Sequence, residues 1–468
     1  MYFFELSAII IYFLCIVLIG WFSSKKNLTS SDFLMGGRSL NYWLTALAAH
    51  ASDMSSWLFM GYPSLVYLGG LRQSWAAIGL VFFMYLNWQF IAPKIRVYTE
   101  KYDSLTFSSF FESHTGDRSG LLRLITALMC LIFYSIYISA SLVGLGTLLN
   151  TLFSIPFPLA ICLGIALTIP YILLGGFLTL AWIDLFQGLF LMIVILIVPF
   201  HFVAHIGGWD TLLSFLDSHS FQIVDNASIA SPLLLMLGWG LGYFGQPHII
   251  TKFMGIKNVK DIPKSKYIGM SWMILSLSAA TLIGLVATAF FKSGLKDSEL
   301  VFIEMVKQLF HPFWVGFVLC AIFAATINAM SSQVLVLSST ITEDFYKRFI
   351  NKQASPAKLV QISRLGILFI AFSSFWIALL SSRSVYHLVL YAWSGLGSTF
   401  GPLLIACLYK KRVSKYAAFL GILIGGVTSL LWPLINPLIY EKNIPSIIPG
   451  FFTGLCFILI GSILIKKR

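Results

Sequence analysis

Two stretches decide how this chain is read: Ala48-Ala-His-Ala-Ser-Asp-Met-Ser-Ser-Trp57 and Gly238-Trp-Gly-Leu-Gly-Tyr-Phe-Gly-Gln-Pro247. Each lies inside an apolar run long enough to cross a bilayer, and neither suits an uninterrupted helix. In the first, small and hydroxyl-bearing residues compete for backbone hydrogen bonds, and Gly61 and Pro63 follow closely. In the second, Gly238, Gly240, Gly242 and Gly245 precede a proline, which removes both helix propensity and a donor. Irregular backbone at membrane depth is tolerated only where it is buried in protein or lines a cavity. Two broken spans in corresponding places of two halves predict an inverted-repeat architecture with a binding site at the midplane. Close helix packing of the GxxxG kind is the other reading of the glycines.

The rest of the sequence agrees with a membrane setting. Of 468 residues, 58% are hydrophobic and only 10% charged, against roughly a quarter charged in soluble chains. Forty-one phenylalanines and long apolar runs exclude a soluble enzyme, a disordered chain and an outer-membrane barrel. The net charge of +13 comes from short basic clusters between the runs. No continuous basic face could follow a phosphate backbone, so nucleic acid is not an expected partner. Cys15, Cys130, Cys162, Cys320, Cys407 and Cys456 all lie within apolar runs and read as small core residues. The first apolar run lacks a basic leader and a cleavage site, so it is expected to be a retained helix.

At about 20 residues per crossing, thirteen spans are expected: 4–22, 42–70, 73–92, 121–150, 157–176, 181–205, 231–251, 268–291, 312–342, 359–382, 385–409, 416–440 and 446–465. With the N-terminus outside, 25 of the 31 Lys and Arg fall on the inner side, leaving Arg72, Lys292, Lys296, Lys307, Arg383 and Lys442. The positive-inside rule then gives N-out and C-in for a single 1–468 membrane domain. Asp53 stands apart from the other carboxylates, about eleven residues into the second span. A carboxylate there costs roughly 2.5–3.5 kcal/mol on insertion scales. It should face a cavity or a cation, or be bonded to backbone amides at the break. Carbonyls freed by both breaks suit a cation, and half-helix N-termini suit a carboxylate. A cation together with a small anionic or zwitterionic solute is the ligand chemistry expected.

With these motifs, Gly36-Gly-Arg-Ser39, Ala51–Ser55, Gly238–His248 and Ile341-Thr-Glu-Asp-Phe-Tyr346, the chain resembles the sodium/solute symporter family, most of all its bacterial sodium/proline branch. The resemblance runs from about Gly36 to Gly450. It implies an all-α fold of the leucine-transporter type, with inverted repeats over 42–205 and 231–409, in a bacterial inner membrane. It implies a secondary active symporter that imports proline or a close amino-acid relative with sodium, by alternating access, with no obligate protein partner. The implied solute pocket is Ser55, Trp57, Tyr137, Trp239, Tyr243, Gln246 and Pro247. The implied sodium site uses the carbonyls of Ala51, Met54 and Ala325, with Asp53 nearby. Arg38, Asp184 and Arg364 also match family positions, and loop ion pairing is an equal expectation for them.

The match departs at Ala325-Thr-Ile-Asn-Ala-Met-Ser-Ser332. Asn328 and Ala329 stand where the family has adjacent Ser and Thr as sodium ligands. An Asn oxygen can ligate a hard cation, whereas Ala329 offers none. His50 replaces a common Gly, and Ser56 replaces the Gly of proline symporters. His50 lies three residues before Asp53, on the same face if the helix is regular, and is a possible proton site. Proton coupling, or uncoupled facilitation, is therefore the rival to sodium. A membrane enzyme or transporter-like sensor is a further rival, against which stands the lack of an HExxH, a nucleophile–base set or a phosphate loop. His201 and His205 have metal-binding spacing without a third ligand and read as interfacial. The apolar stripe Val301, Phe302, Met305, Val306, Leu309 and Phe310 predicts an amphipathic surface helix, with a lid as the alternative.

Overall fold

The protein is described here by a computed structural model covering residues 3–23, 35–216, 230–291, 293–381, 384–410, 412–440 and 443–464. Lys25, Lys26, Lys292, Arg383, Lys411, Lys442 and the tail Lys466, Lys467 and Arg468, which entered the charge count above, lie outside the described residues.

Long apolar runs that must satisfy every backbone group internally become helices. In chain order these are α1 (Phe3–Ser23), α2 (Tyr42–Ala51), α3 (Gly61–Gly69), α4 (Trp75–Leu86), α5 (Ala92–Lys101) and α6 (Phe107–Thr115). Then come α7 (Leu121–Phe153), α8 (Phe157–His205), α9 (Trp209–Phe215), α10 (Ala230–Gly240), α11 (Pro247–Gly255) and α12 (Ile262–Phe290). The last are α13 (Val301–Leu309), α14 (Pro312–Ser339), α15 (Pro356–Leu380), α16 (Val385–Tyr409), α17 (Lys415–Ile439) and α18 (Ile447–Leu464). Among the described residues the sole β feature is a bridge between Leu40 and Ile256.

Among the described residues, ten helical stretches are long and apolar enough to cross a membrane. The other three expected spans fall on the shorter apolar helix Phe157–Ile169 and on the interrupted segments α2–α3 and α10–α11, none of which is among those ten. The expected division between 176 and 181 falls at Gly176, whose φ of 64° breaks α8 where a Cβ would be strained. Two helices outgrow their expected limits. A π-turn at Asn87–Ile91 carries α4 on into α5, and α14 continues as a π-helix from Thr340 to Ile350. The amphipathic segment forms α13, with Val301, Phe302, Met305 and Val306 buried and Leu309 half-buried. Phe302 meets Phe59 of the first break, ring centroids 5.1 Å apart. His201 packs on Phe310 with ring centroids 4.6 Å apart, and His201 and His205 are both exposed.

The packing centres the two breaks. α10 lies against α4, α11 against α2 and α5, and α16 against both the second break and α7. α14, almost wholly buried in its inner two-thirds, packs against α8 and touches the first break. α17 and α18 pair with each other and flank α16.

Candidate functional site: a cavity between two broken helices

The first break begins where α2 stops. The Ser52 N–H donates to the Ala48 carbonyl and the Asp53 N–H to that of His50, each at 3.3 Å. The chain then leaves the helix, and the Ser55 hydroxyl accepts from the Trp57 N–H at 3.3 Å to start a short 3₁₀ turn over Ser56–Leu58. Small and hydroxyl-bearing residues make this possible because they satisfy the freed backbone locally.

The second break is a tight turn over Leu241–Gly245, followed by extended Gln246 and by Pro247 as the first residue of α11. Pro is at ease there, where its missing N–H has no helical acceptor. The glycines serve close packing as well as the break. A Cβ on Gly242 would strike the Trp393 indole, and one on Gly245 would lie 2.5 Å from the Leu396 carbonyl oxygen. Both readings of that run therefore hold together.

Between the breaks is a cavity of about 10 Å³, room for about one water. The first break contributes Asp53, Met54 and Trp57, the last turn of α10 Trp239, the second break Tyr243, and α7 Tyr137. Leu80, Val389 and Trp393 complete the wall. Trp57 and Trp239 pack with ring centroids 4.7 Å apart, and Trp57 stacks on Tyr62 at 5.1 Å. Tyr243 meets Trp393 edge-on at 5.0 Å. The Tyr243 hydroxyl donates to Asp53 Oδ2, so one hydrogen bond joins the two broken helices. Asn87 Nδ2 donates to the Tyr243 carbonyl at 3.0 Å and the Trp393 indole N–H to that of Trp239 at 2.7 Å. These bonds fix the turn from both sides. The indole N–H of Trp57 is buried with no hydrogen-bond partner among the described residues, a donor free for a ligand. A nearly closed, aromatic-walled site with one carboxylate can hold a small polar solute only after its walls move apart.

Six of the residues singled out from sequence thus converge. Ser55, Gln246 and Pro247 are buried beside the cavity without lining it. Ser55 shapes the first break, and Gln246 Nε2 donates to the Trp393 carbonyl at 3.2 Å. Ala51 ends α2, while Ala325 and Asn328 are fully buried on α14. Both polar atoms of Asn328 lack a hydrogen-bond partner among the described residues. So does the Ser332 hydroxyl one turn on. Buried polar groups are usually met by protein, by ordered water or by an ion.

His50 does not share the face of Asp53. Helical geometry ends between them, and the imidazole turns away between Trp88 and Trp272, where its Nε2 accepts from the Trp88 indole at 3.0 Å. Asp184 also departs from the expectation of a loop position. It lies inside α8, fully buried, with Oδ2 2.9 Å from the Lys252 ammonium, so Asp53 is not the only carboxylate within a span. Arg38 makes no ion pair among the described residues. Its guanidinium donates to the carbonyls of Thr99, Ser104 and Met254. Arg364 is exposed.

Trp393 was missed in the sequence. Its signal is Ala392-Trp-Ser-Gly-Leu-Gly397, an aromatic set among small residues. That pattern shows close packing but not which break it packs on.

A helical membrane protein whose two broken helices enclose such a cavity is a solute transporter. The chain belongs to the sodium:solute symporter family, whose profile matches residues 33–425. It is 38% identical to the osmoregulated proline transporter of Bacillus subtilis over 464 residues, 98% of this chain and 94% of that one. It is 37% identical to the sodium/proline symporter of Escherichia coli, over 97% of this chain and 92% of the relative. Its fold is that of a Na⁺-coupled sialic acid symporter solved in a substrate-bound outward-open state. The TM-score is 0.85 at 18% identity, covering 99% and 98% of the two chains. Mhp1, a nucleobase-cation-symport-1 transporter in a closed conformation, is similar with a TM-score of 0.61 at 10% identity, over 95% of each chain.

Proposed function

We propose that this chain imports proline, or a close amino-acid relative, with sodium as the driving ion, by alternating access across a bacterial inner membrane. The observation that carries the proposal is the meeting of both broken helices at one aromatic cavity through Tyr243 and Asp53. Similarity to proline transporters over nearly the whole chain supports the choice of solute. Trp57, Trp239, Tyr243, Tyr137 and Trp393 wall a pyrrolidine ring, and the indole N–H of Trp57 and the frayed helix ends meet its zwitterion. Ser55, Gln246 and Pro247 hold the wall residues in place.

Sodium is held by the Ala51, Met54 and Ala325 carbonyls and the Asn328 side-chain oxygen, with the Asp53 carboxylate nearby as counter-charge. The free Oδ1 of Asn328 supports this. With Ala329 supplying no oxygen, the site binds sodium more weakly than one with two hydroxyls. The setting of His50 favours sodium over a proton, because an Nε2 that accepts from Trp88 has no room for a second hydrogen there. Thirteen crossings, N-out and C-in, with inverted repeats over 42–205 and 231–409, complete the reading.

Uptake of radiolabelled proline into proteoliposomes tests it. An inward sodium gradient should drive accumulation and a proton gradient alone should not. Accumulation under the proton gradient alone would overturn the ion assignment, and none under either would leave a facilitator.

A further inference from the structure

On the membrane-facing side of the bundle, away from the transport cavity, α4 and α12 leave a groove of about 710 Å³. Each helix presents one stripe to it at helical spacing. Ile78, Phe82 and Tyr85 line it from α4, and Met270, Ile274 and Ser278 from α12. All of these but Met270 are exposed. An apolar groove on a membrane protein is ordinarily wetted by exchanging lipid tails, so its walls alone would mean little.

The two stripes, however, run on to a charge. One turn beyond Tyr85 and Met270 stand Gln89 and Lys266, joined by a 2.8 Å hydrogen bond from the ammonium to Gln89 Oε1. Lys266 is only 6% exposed, and it lies 4.9 Å from the Tyr85 ring and 4.7 Å from that of Tyr267. No carboxylate pairs with it among the described residues. One amide oxygen and two ring faces supply this ammonium with partners but with no counter-charge. Lys257, Lys260 and Lys264 add positive charge at the same end of α12, where Asp261 pairs with Lys264. Tyr267, two-thirds exposed, stands where an interfacial aromatic anchors a head group.

We propose that this groove is a binding site for one anionic phospholipid, its phosphate on Lys266 and an acyl chain between α4 and α12. The charge end sets the preference for an anionic head group, and the groove sets the place of the chain. Because α4 also supplies Leu80 to the wall of the transport cavity, the lipid would brace one side of that cavity. The binding claim itself is independent of the transported solute and ion.

Native mass spectrometry of the full chain in a mild detergent tests this, with phosphatidylglycerol and phosphatidylcholine of equal chain length as probes. The expected result is one retained phosphatidylglycerol, bound at least tenfold more tightly than phosphatidylcholine. Lys266→Gln should remove that discrimination, and Lys266→Arg should keep it. Ser278→Trp, which fills the exposed groove without touching the charge, should weaken both lipids. Equal retention of the two lipids by the unmodified protein would overturn the proposal. So would tenfold discrimination that survives Lys266→Gln, or retention untouched by Ser278→Trp.

Discussion

Asn328 offers the sharpest test of the ion site, because two different consequences follow from one substitution. Its side chain is fully buried, and neither Oδ1 nor Nδ2 has a protein partner among the described residues. Asn328→Leu keeps the branched heavy-atom skeleton, with bulkier methyls, and removes both polar atoms. If Oδ1 ligates sodium beside three backbone carbonyls, its loss removes one charge-bearing contact. Such contacts contribute about 1.5–3 kcal/mol, which corresponds to roughly a ten- to hundredfold rise in the half-saturating sodium concentration. If Asn328 were only a structural residue, transport would be unchanged or lost by misfolding.

The second consequence separates those cases. A buried amide left unpaired without sodium costs about 1–3 kcal/mol, so the leucine variant should be at least as heat-stable as the parent in sodium-free choline buffer. Adding sodium should stabilise the parent by the linkage of binding to folding, and the variant far less. The assays are sodium-titrated proline uptake and thermal unfolding, with and without sodium, on the same preparation. An unchanged sodium half-saturation in a stable variant would refute the ligand role.

Three further outcomes are expected. Trp239→Ala, which removes the ring packed on Trp57, should weaken proline binding at least tenfold, about 1.4 kcal/mol, in an equilibrium assay on purified protein. Asp53→Asn should abolish gradient-driven accumulation even at saturating solute while leaving expression intact, as proteoliposome uptake would reveal. Burial pushes the Asp117 carboxyl up, but bonds from the Ser119 hydroxyl and the Leu122 and Ser119 N–H groups outweigh it and hold the group below its ordinary range. A depressed folded-state value stabilises above the unfolded value near 3.8. Thermal stability should therefore fall as pH drops below about 4, and less so in Asp117→Ala.

How much of this was legible in the residues depends on the range of the interaction that fixed each part. The helices follow from local apolarity, and both breaks follow from local chemistry, the hydroxyl-rich Ala51–Ser56 and the glycines before Pro247. Asp53 is identifiable because a carboxylate in an apolar run has few alternatives. The way His50 faces was not legible. Three residues from Asp53 it reads as a neighbour on one face, but α2 ends between them and the indole of Trp88, thirty-eight positions on, claims the imidazole. Asp184 failed for the same reason, since its partner Lys252 comes from another helix. Spacing reports neighbours within an element, and it is silent on pairs made by packing two elements together.

The same distinction bears on how the cavity opens. On the side of the bundle where α2 begins and α11 ends, the bridge between Leu40 and Ile256 is held by Leu40 N–H to the Gly255 carbonyl at 3.1 Å and Lys257 N–H to that of Leu40 at 2.8 Å. Arg38 reaches Met254, and Arg96 Nε reaches the Ile256 carbonyl at 2.6 Å. At the other end, the Glu299 carboxylate just before α13 accepts from the Val385 and Tyr386 N–H groups at the start of α16, each at 2.9 Å. α16 carries Val389 and Trp393 to the cavity wall, so this clasp holds one wall from a distance. The first set of bonds ties the two broken helices directly to each other. The second ties neither, only the helix behind them. Separation of the broken helices at the Arg38 end therefore has to break main-chain bonds and two guanidinium contacts together. The Glu299 end is held by side chains: the Ser384 hydroxyl donates to the same carboxylate at 2.9 Å, the Ser64 hydroxyl on α3 to that of Ser298 at 2.7 Å, and Phe302 packs on Phe59. Opening toward α13 therefore has to release side-chain contacts, whereas opening at the Arg38 end has to break bonds between two main chains as well.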